Sequence, residues 1–72
     1  MQIHVRSDMA ATVLSIDAAV GDTVADGDTL LVLEAMKMEL PTASPSAGVV
    51  QAVHVAVGDV ISEDQLLVTL ER

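Results

Sequence analysis

The chain has no cysteine and no aromatic residue, only two prolines, and a single lysine. Without cysteine there is no disulfide staple and no thiolate metal ligand, a composition compatible with a cytoplasmic setting. Without Phe, Tyr or Trp the core must be assembled from Val, Leu, Ile, Ala and Met, as many small side chains rather than a few large ones. Long apolar runs are missing as well. Stretches such as Leu30-Leu31-Val32-Leu33 fall far short of the ~20 residues that a membrane helix needs. The opening Met1-Gln2-Ile3-His4-Val5-Arg6 has no basic region leading into an apolar core, so it does not read as a signal peptide. Basic residues are scarce: three Lys and Arg against 11 Asp and Glu leave a formal net charge of −8. Such a chain is repelled by nucleic-acid phosphates and by anionic lipid, which sets both aside as partners. It suits basic protein surfaces, in an encounter that salt weakens.

What is present suffices for one small domain spanning 1–72. A chain of this size buries only about 60% of its unfolded surface, yet 51% hydrophobic residues argue against disorder despite the charge. The organising feature is an internal repeat. At an offset of 37 residues, Val20-Gly21-Asp22 falls on Val57-Gly58-Asp59, Leu30 on Leu67, Leu33 on Leu70 and Glu34 on Glu71. Val13 meets Val50, Ala19 meets Ala56, and Ile16, Val24, Asp26 and Leu31 meet Val53, Ile61, Glu63 and Val68. The copies run over about 11–34 and 48–71, and a repeat this dense governs the choice of fold.

Each copy opens on an alternating stretch, which suits a half-buried strand. In the first, Leu14, Ile16 and Ala18 share one face and Ser15 and Asp17 the other; in the second, His54 stands between Val53 and Val55. A Gly-Asp turn follows, then a polar bend, then an apolar run. Gly21, Gly27, Gly48 and Gly58 are read as turn glycines. Short strands punctuated this often predict a sandwich or flattened barrel. Thr29–Leu40 is rich in helix formers, but its repeat mate, Gln65–Leu70, is short and contains Val and Thr. Pro41 then closes the segment. The segment is therefore read as a strand at 29–35, a turn at Met36-Lys37 and a returning strand at 38–43. Residues 35–47 join the copies, Lys37 lies at an exposed hairpin tip, and the chain termini lie together. Met-Lys is a poor pair for a tight hairpin, where Asn-Gly is preferred, and a broken local rule at an exposed position marks function.

The string Glu34-Ala35-Met36-Lys37-Met38-Glu39, with Pro45 and Gly48 following, resembles the biotinyl domains of the biotin carboxyl carrier proteins. The likeness covers about Met9 to Leu70. With Met1 so close to the first repeat, the chain is similar to the short free-standing biotin/lipoyl attachment proteins. The resemblance implies an all-β, flattened barrel of two four-stranded antiparallel sheets with an internal pseudo-twofold, a barrel-sandwich hybrid. It implies covalent biotin on Lys37, attached by a biotin protein ligase that recognises Met36 and Met38, with Ala35 and Glu34 completing the motif. The domain is then a non-catalytic subunit, monomeric in isolation. It moves carboxylate between the biotin carboxylase and carboxyltransferase of a biotin-dependent carboxylase. The extra "thumb" loop that some carriers hold between early strands has no room here, since 11–18 leads directly to the Gly21 turn.

Each residue also has a plainer reading. Met36 and Met38 can fill core gaps, and one of them is expected to point inward, because strand neighbours face opposite ways. Glu34 can be a solvated strand end, since Glu71 repeats it without a lysine, and Glu39 is equally open. His4 and His54 read as surface or strand-edge residues with no nucleophile nearby. Asp22, Asp26 and Asp28 fail as a calcium loop, because Val24 holds a required ligand position and Leu33 stands where the closing Glu belongs. Two other functions remain open: a lipoyl carrier on the same frame, although the Asp-Lys-Ala usual there is absent, and an unmodified β-sandwich serving as an interaction module.

Overall fold

The computed structural model describes residues 1–72 and contains eight strands and no helix, so no helix long and apolar enough to cross a membrane is present. The strands are β1 (Gln2–Arg6), β2 (Ala11–Ile16), β3 (Thr23–Val24), β4 (Thr29–Ala35), β5 (Met38–Ala43), β6 (Gly48–Val53), β7 (Val60–Ile61) and β8 (Leu66–Glu71). They form two four-stranded sheets, β1-β8-β6-β3 and β5-β4-β2-β7, and every pairing is antiparallel. The sheets enclose a core of aliphatic side chains in which Leu30, Leu31, Leu67, Val68 and Leu70 are fully buried. Simple alternation does not place them, since Leu30 and Leu31, and Leu67 and Val68, are sequence neighbours that are all buried; β4 and β8 are central strands hydrogen-bonded on each side, and the register of β4 shifts between Thr29 and Leu31. The helix formers of 29–40 are overridden by that double pairing, since packing outweighs propensity.

The repeat is a pseudo-twofold that exchanges the two sheets, and it reaches beyond 11–34 and 48–71. Strands β1 to β4 correspond to β5 to β8 in order, and the sheet orders match term by term. The pair Ile3↔Leu70 has its mate in Leu33↔Leu40. The loops repeat as well. Asp22 accepts a hydrogen bond from the Ala19 amide as Asp59 does from that of Ala56, each at 2.9 Å. Ser7 and Ser44, buried mates, donate their hydroxyls to the carbonyls of Met9 and Ser46 at 2.5 and 2.6 Å. The carboxylates of Asp22 and Asp28 are thus committed to turn amides. The chain ends meet across β1 and β8, where the Met1 ammonium bonds the Glu71 carboxylate at 3.0 Å.

Three expectations are corrected. Leu14 does not face inward with Ile16 and Ala18; it is exposed while Val13 is buried. The register passes from Val13↔Leu33 to Ser15↔Val32, so Leu14 is the extra residue of a β-bulge, which reverses the alternation. Gln51 is its mate in β6, between Val50↔Leu70 and Ala52↔Thr69. Gly48 is no turn glycine but the first residue of β6, where a Cβ would lie 2.8 Å from the Glu71 carbonyl oxygen. Methionine contributes nothing to the core, which is built of Val, Leu, Ile and Ala alone.

Candidate functional site

The longest hairpin of the second sheet joins β4 to β5, and Lys37 stands at its end. Its register runs Leu33↔Leu40, Glu34↔Glu39, Ala35↔Met38, which leaves Met36 and Lys37 as a two-residue turn. Both have left-handed backbones, with φ of 52° and 62°. Positive φ at both central residues defines the turn whose twist suits a hairpin, normally made with Asn-Gly or Asp-Gly. Each non-glycine residue held there costs of order 1–3 kcal/mol. The strand, turn and returning strand lie at the residues expected from the sequence.

The tip outruns the core. Leu33 is the last buried residue before the turn, Ala35 is half-buried against the core, and residues 36 to 39 are all exposed. Neither methionine therefore packs inward, contrary to expectation. Met38 shares a face with Ala35, but at that height no opposing side chain remains to cover it. The Lys37 ammonium makes no ion pair, the single one of the chain being that of the terminal amine with Glu71. Glu34 and Glu39 lie directly across the hairpin on the same outward face. Like charges placed opposite one another are mildly destabilising. The end of the hairpin is thus one cation and two thioethers above a pair of carboxylates.

The remaining candidates lie apart from it. His4 is exposed on edge strand β1, and His54 follows β6, its Nε2 2.8 Å from the Thr69 hydroxyl. An open cleft of about 580 Å³ runs between edge strands β1 and β5, lined by residues that include His4, Arg6, Leu40 and Thr42. None of residues 34 to 39 borders it. The Lys37 tip therefore lies apart from the cleft. The fit to a covalently held group is good: the only lysine of the chain is exposed at the end of a hairpin, while the other primary amine, that of Met1, is paired with Glu71.

Comparison with known proteins agrees with this geometry. A family model described as "Biotin-requiring enzyme" matches residues 3–70. The biotinylated protein TB7.3 homolog of Mycolicibacterium smegmatis is 46% identical over 41 residues, which cover 57% of this chain and 58% of that protein. The match therefore spans less than two thirds of that relative. Among solved structures, a single-chain, multi-domain long-chain acyl-CoA carboxylase superposes with a TM-score of 0.93 at 34% identity, over 99% of this chain and 7% of the carboxylase. The lipoyl domain of the Azotobacter vinelandii 2-oxoglutarate dehydrogenase complex superposes at 0.76 with 21% identity, over 88% of this chain and 80% of that domain. At that identity the likeness is one of fold alone.

Proposed function

The chain belongs to the family of biotin-requiring enzymes, and from that premise we propose that Lys37 is the residue that carries covalent biotin. The domain is a biotin carrier of the kind found in biotin-dependent carboxylases. The observation that supports the site is the placement of the only lysine of the chain at φ 62° on an exposed two-residue turn.

Attachment is an acyl transfer. The amine nitrogen attacks the acyl carbon of biotinyl-adenylate, the bond to the phosphate oxygen breaks, adenylate leaves and the nitrogen gives up a proton. The attacking nitrogen must be unprotonated to form the amide. The tip holds no group bonded to the ammonium that could take its proton, so the ligase supplies both the base and the activated acyl group. The exposed thioethers of Met36 and Met38 present it with an apolar, adaptable surface. Biotin, once bound, supplies the carboxyl-transfer chemistry. The protein supplies reach and concentration: a short tether holds a group at an effective ~mM at any site it can span. The hairpin moves that group past the bulk of a body 33 × 17 × 17 Å in extent. Its partners in this reading are a biotin carboxylase and a carboxyltransferase, between which the arm passes carboxylate.

Lys37→Arg tests the site. With biotin, ATP and a biotin protein ligase, the parent takes up one biotin and the variant none, while both melt at the same temperature. Uptake of biotin by the arginine variant overturns the assignment. Acylation by a lipoyl ligase in its place makes the domain a lipoyl carrier.

A further inference from the structure

The four methionines of this chain are its only sulfur atoms, because cysteine is absent. None is in the core: Met1 is 71% exposed, Met9 43%, Met36 93% and Met38 59%. Tyr and Trp are also absent, so no thiol, phenol or indole competes for an oxidant. Peroxide reaching this protein therefore reacts at thioethers, and the most open of them adjoins Lys37. Oxidation converts a flexible apolar side chain into a polar one. In most proteins the lesion disrupts cores; here the core of Val, Leu, Ile and Ala holds no target.

We propose that the Met36-Lys37-Met38 tip is also a reversible oxidation site, at which peroxide converts the flanking thioethers to sulfoxides and so withdraws the lysine from the ligase. This rests on the reading of Lys37 as the biotin-accepting residue. In the step, the thioether sulfur attacks one peroxide oxygen, an S–O bond forms, the O–O bond breaks and water leaves. Sulfur loses two electrons and peroxide gains them. A thiol-dependent sulfoxide reductase reverses it, its two thiols becoming a disulfide as the oxygen departs in water. The strained turn adds to the effect. Met36 takes φ of 52° and is 93% exposed, and it lies beyond Leu33, the last buried residue before the turn. A sulfoxide oxygen at that point cannot fold away into the domain, and it meets whatever apolar surface the ligase offers.

The experiment uses the whole apo chain. It is treated with hydrogen peroxide, mapped by peptide mass, and presented to biotin, ATP and limiting ligase, with untreated chain alongside. Met36 is expected to oxidise first and Met9 last, with the β-sheet circular dichroism unchanged. Chain oxidised at 36 and 38 is expected to accept biotin at least tenfold more slowly, and sulfoxide reductases restore the rate. Met9→Leu, outside the tip, retains the full sensitivity. An equal rate for oxidised and untreated chain overturns the inference. So does resistance of Met36 and Met38 to peroxide, or a slowing that accompanies loss of the β signal. Failure of the untreated chain to accept biotin overturns instead the carrier reading beneath it.

Discussion

Apart from Asp64, a short polar residue that stands at φ 67° where its twofold mate is Gly27 and of a type that tolerates the left-handed region, the positive-φ turns of this protein fall into two kinds. At Gly21, Gly27 and Gly58 the chain takes φ of 95°, 90° and 93°, and glycine meets the demand without steric penalty. These turns only steer the chain; their neighbours Asp22, Asp28 and Asp59 brace them through side-chain hydrogen bonds to local amides. At the β4-β5 tip the backbone is equally left-handed, yet Met and Lys occupy it. Glycine was at hand for shape, as three turns show. Where a strained position keeps large side chains, the side chains are the reason. The contrast singles out the tip as the one turn where long side chains are kept at positive φ, which supports the reading of Lys37 as the carrier residue.

The largest effect comes from making the tip resemble the other turns. The double change Met36→Asn with Lys37→Gly installs the favoured hairpin pair. It should raise unfolding stability by about 2–6 kcal/mol as two strained residues, each costing about 1–3 kcal/mol, are relieved, measured by denaturant unfolding, and remove biotin acceptance altogether. The reverse exchange comes next. Gly21→Val and Gly58→Val place branched side chains at positive φ and should each destabilise by about 1–3 kcal/mol. Being twofold mates, they should cost the same, with the rate of biotin uptake unchanged in the folded fraction. The smallest effect is loss of a brace. Asp22→Ala and Asp59→Ala each remove one hydrogen bond at a solvated turn and should lower stability by ~1 kcal/mol, again equally in the two halves.

Much of this was legible in the sequence, for identifiable reasons. The hairpin at 36–37 was readable because the repeat mate Gln65–Leu70 is too short for a helix and Pro41 stops one. The turn signals pointed to a sandwich or flattened barrel, and the two four-stranded sheets came from the family resemblance. The first strand of each half was not readable as a repeat: β1 and β5, QIHVR and ELPTA over the paired positions, share no residue. Only the buried mates Ser7 and Ser44 just beyond them signal the correspondence. The bulges at Leu14 and Gln51 were invisible because one inserted residue reverses an alternation without any compositional mark. The outward placement of both methionines was missed because strand alternation says which face a side chain takes, not whether core remains opposite it. Lys37 itself was legible from scarcity, as the one lysine in an acidic chain.

The most direct measurement is the intact mass of the folded chain before and after incubation with biotin, ATP and a biotin protein ligase, followed by tryptic mapping. A single biotinyl increment, with cleavage after Lys37 blocked, is the expected result. An unchanged mass, or an increment on a peptide that still cleaves after Lys37, would contradict the assignment of the tip as the carrier site.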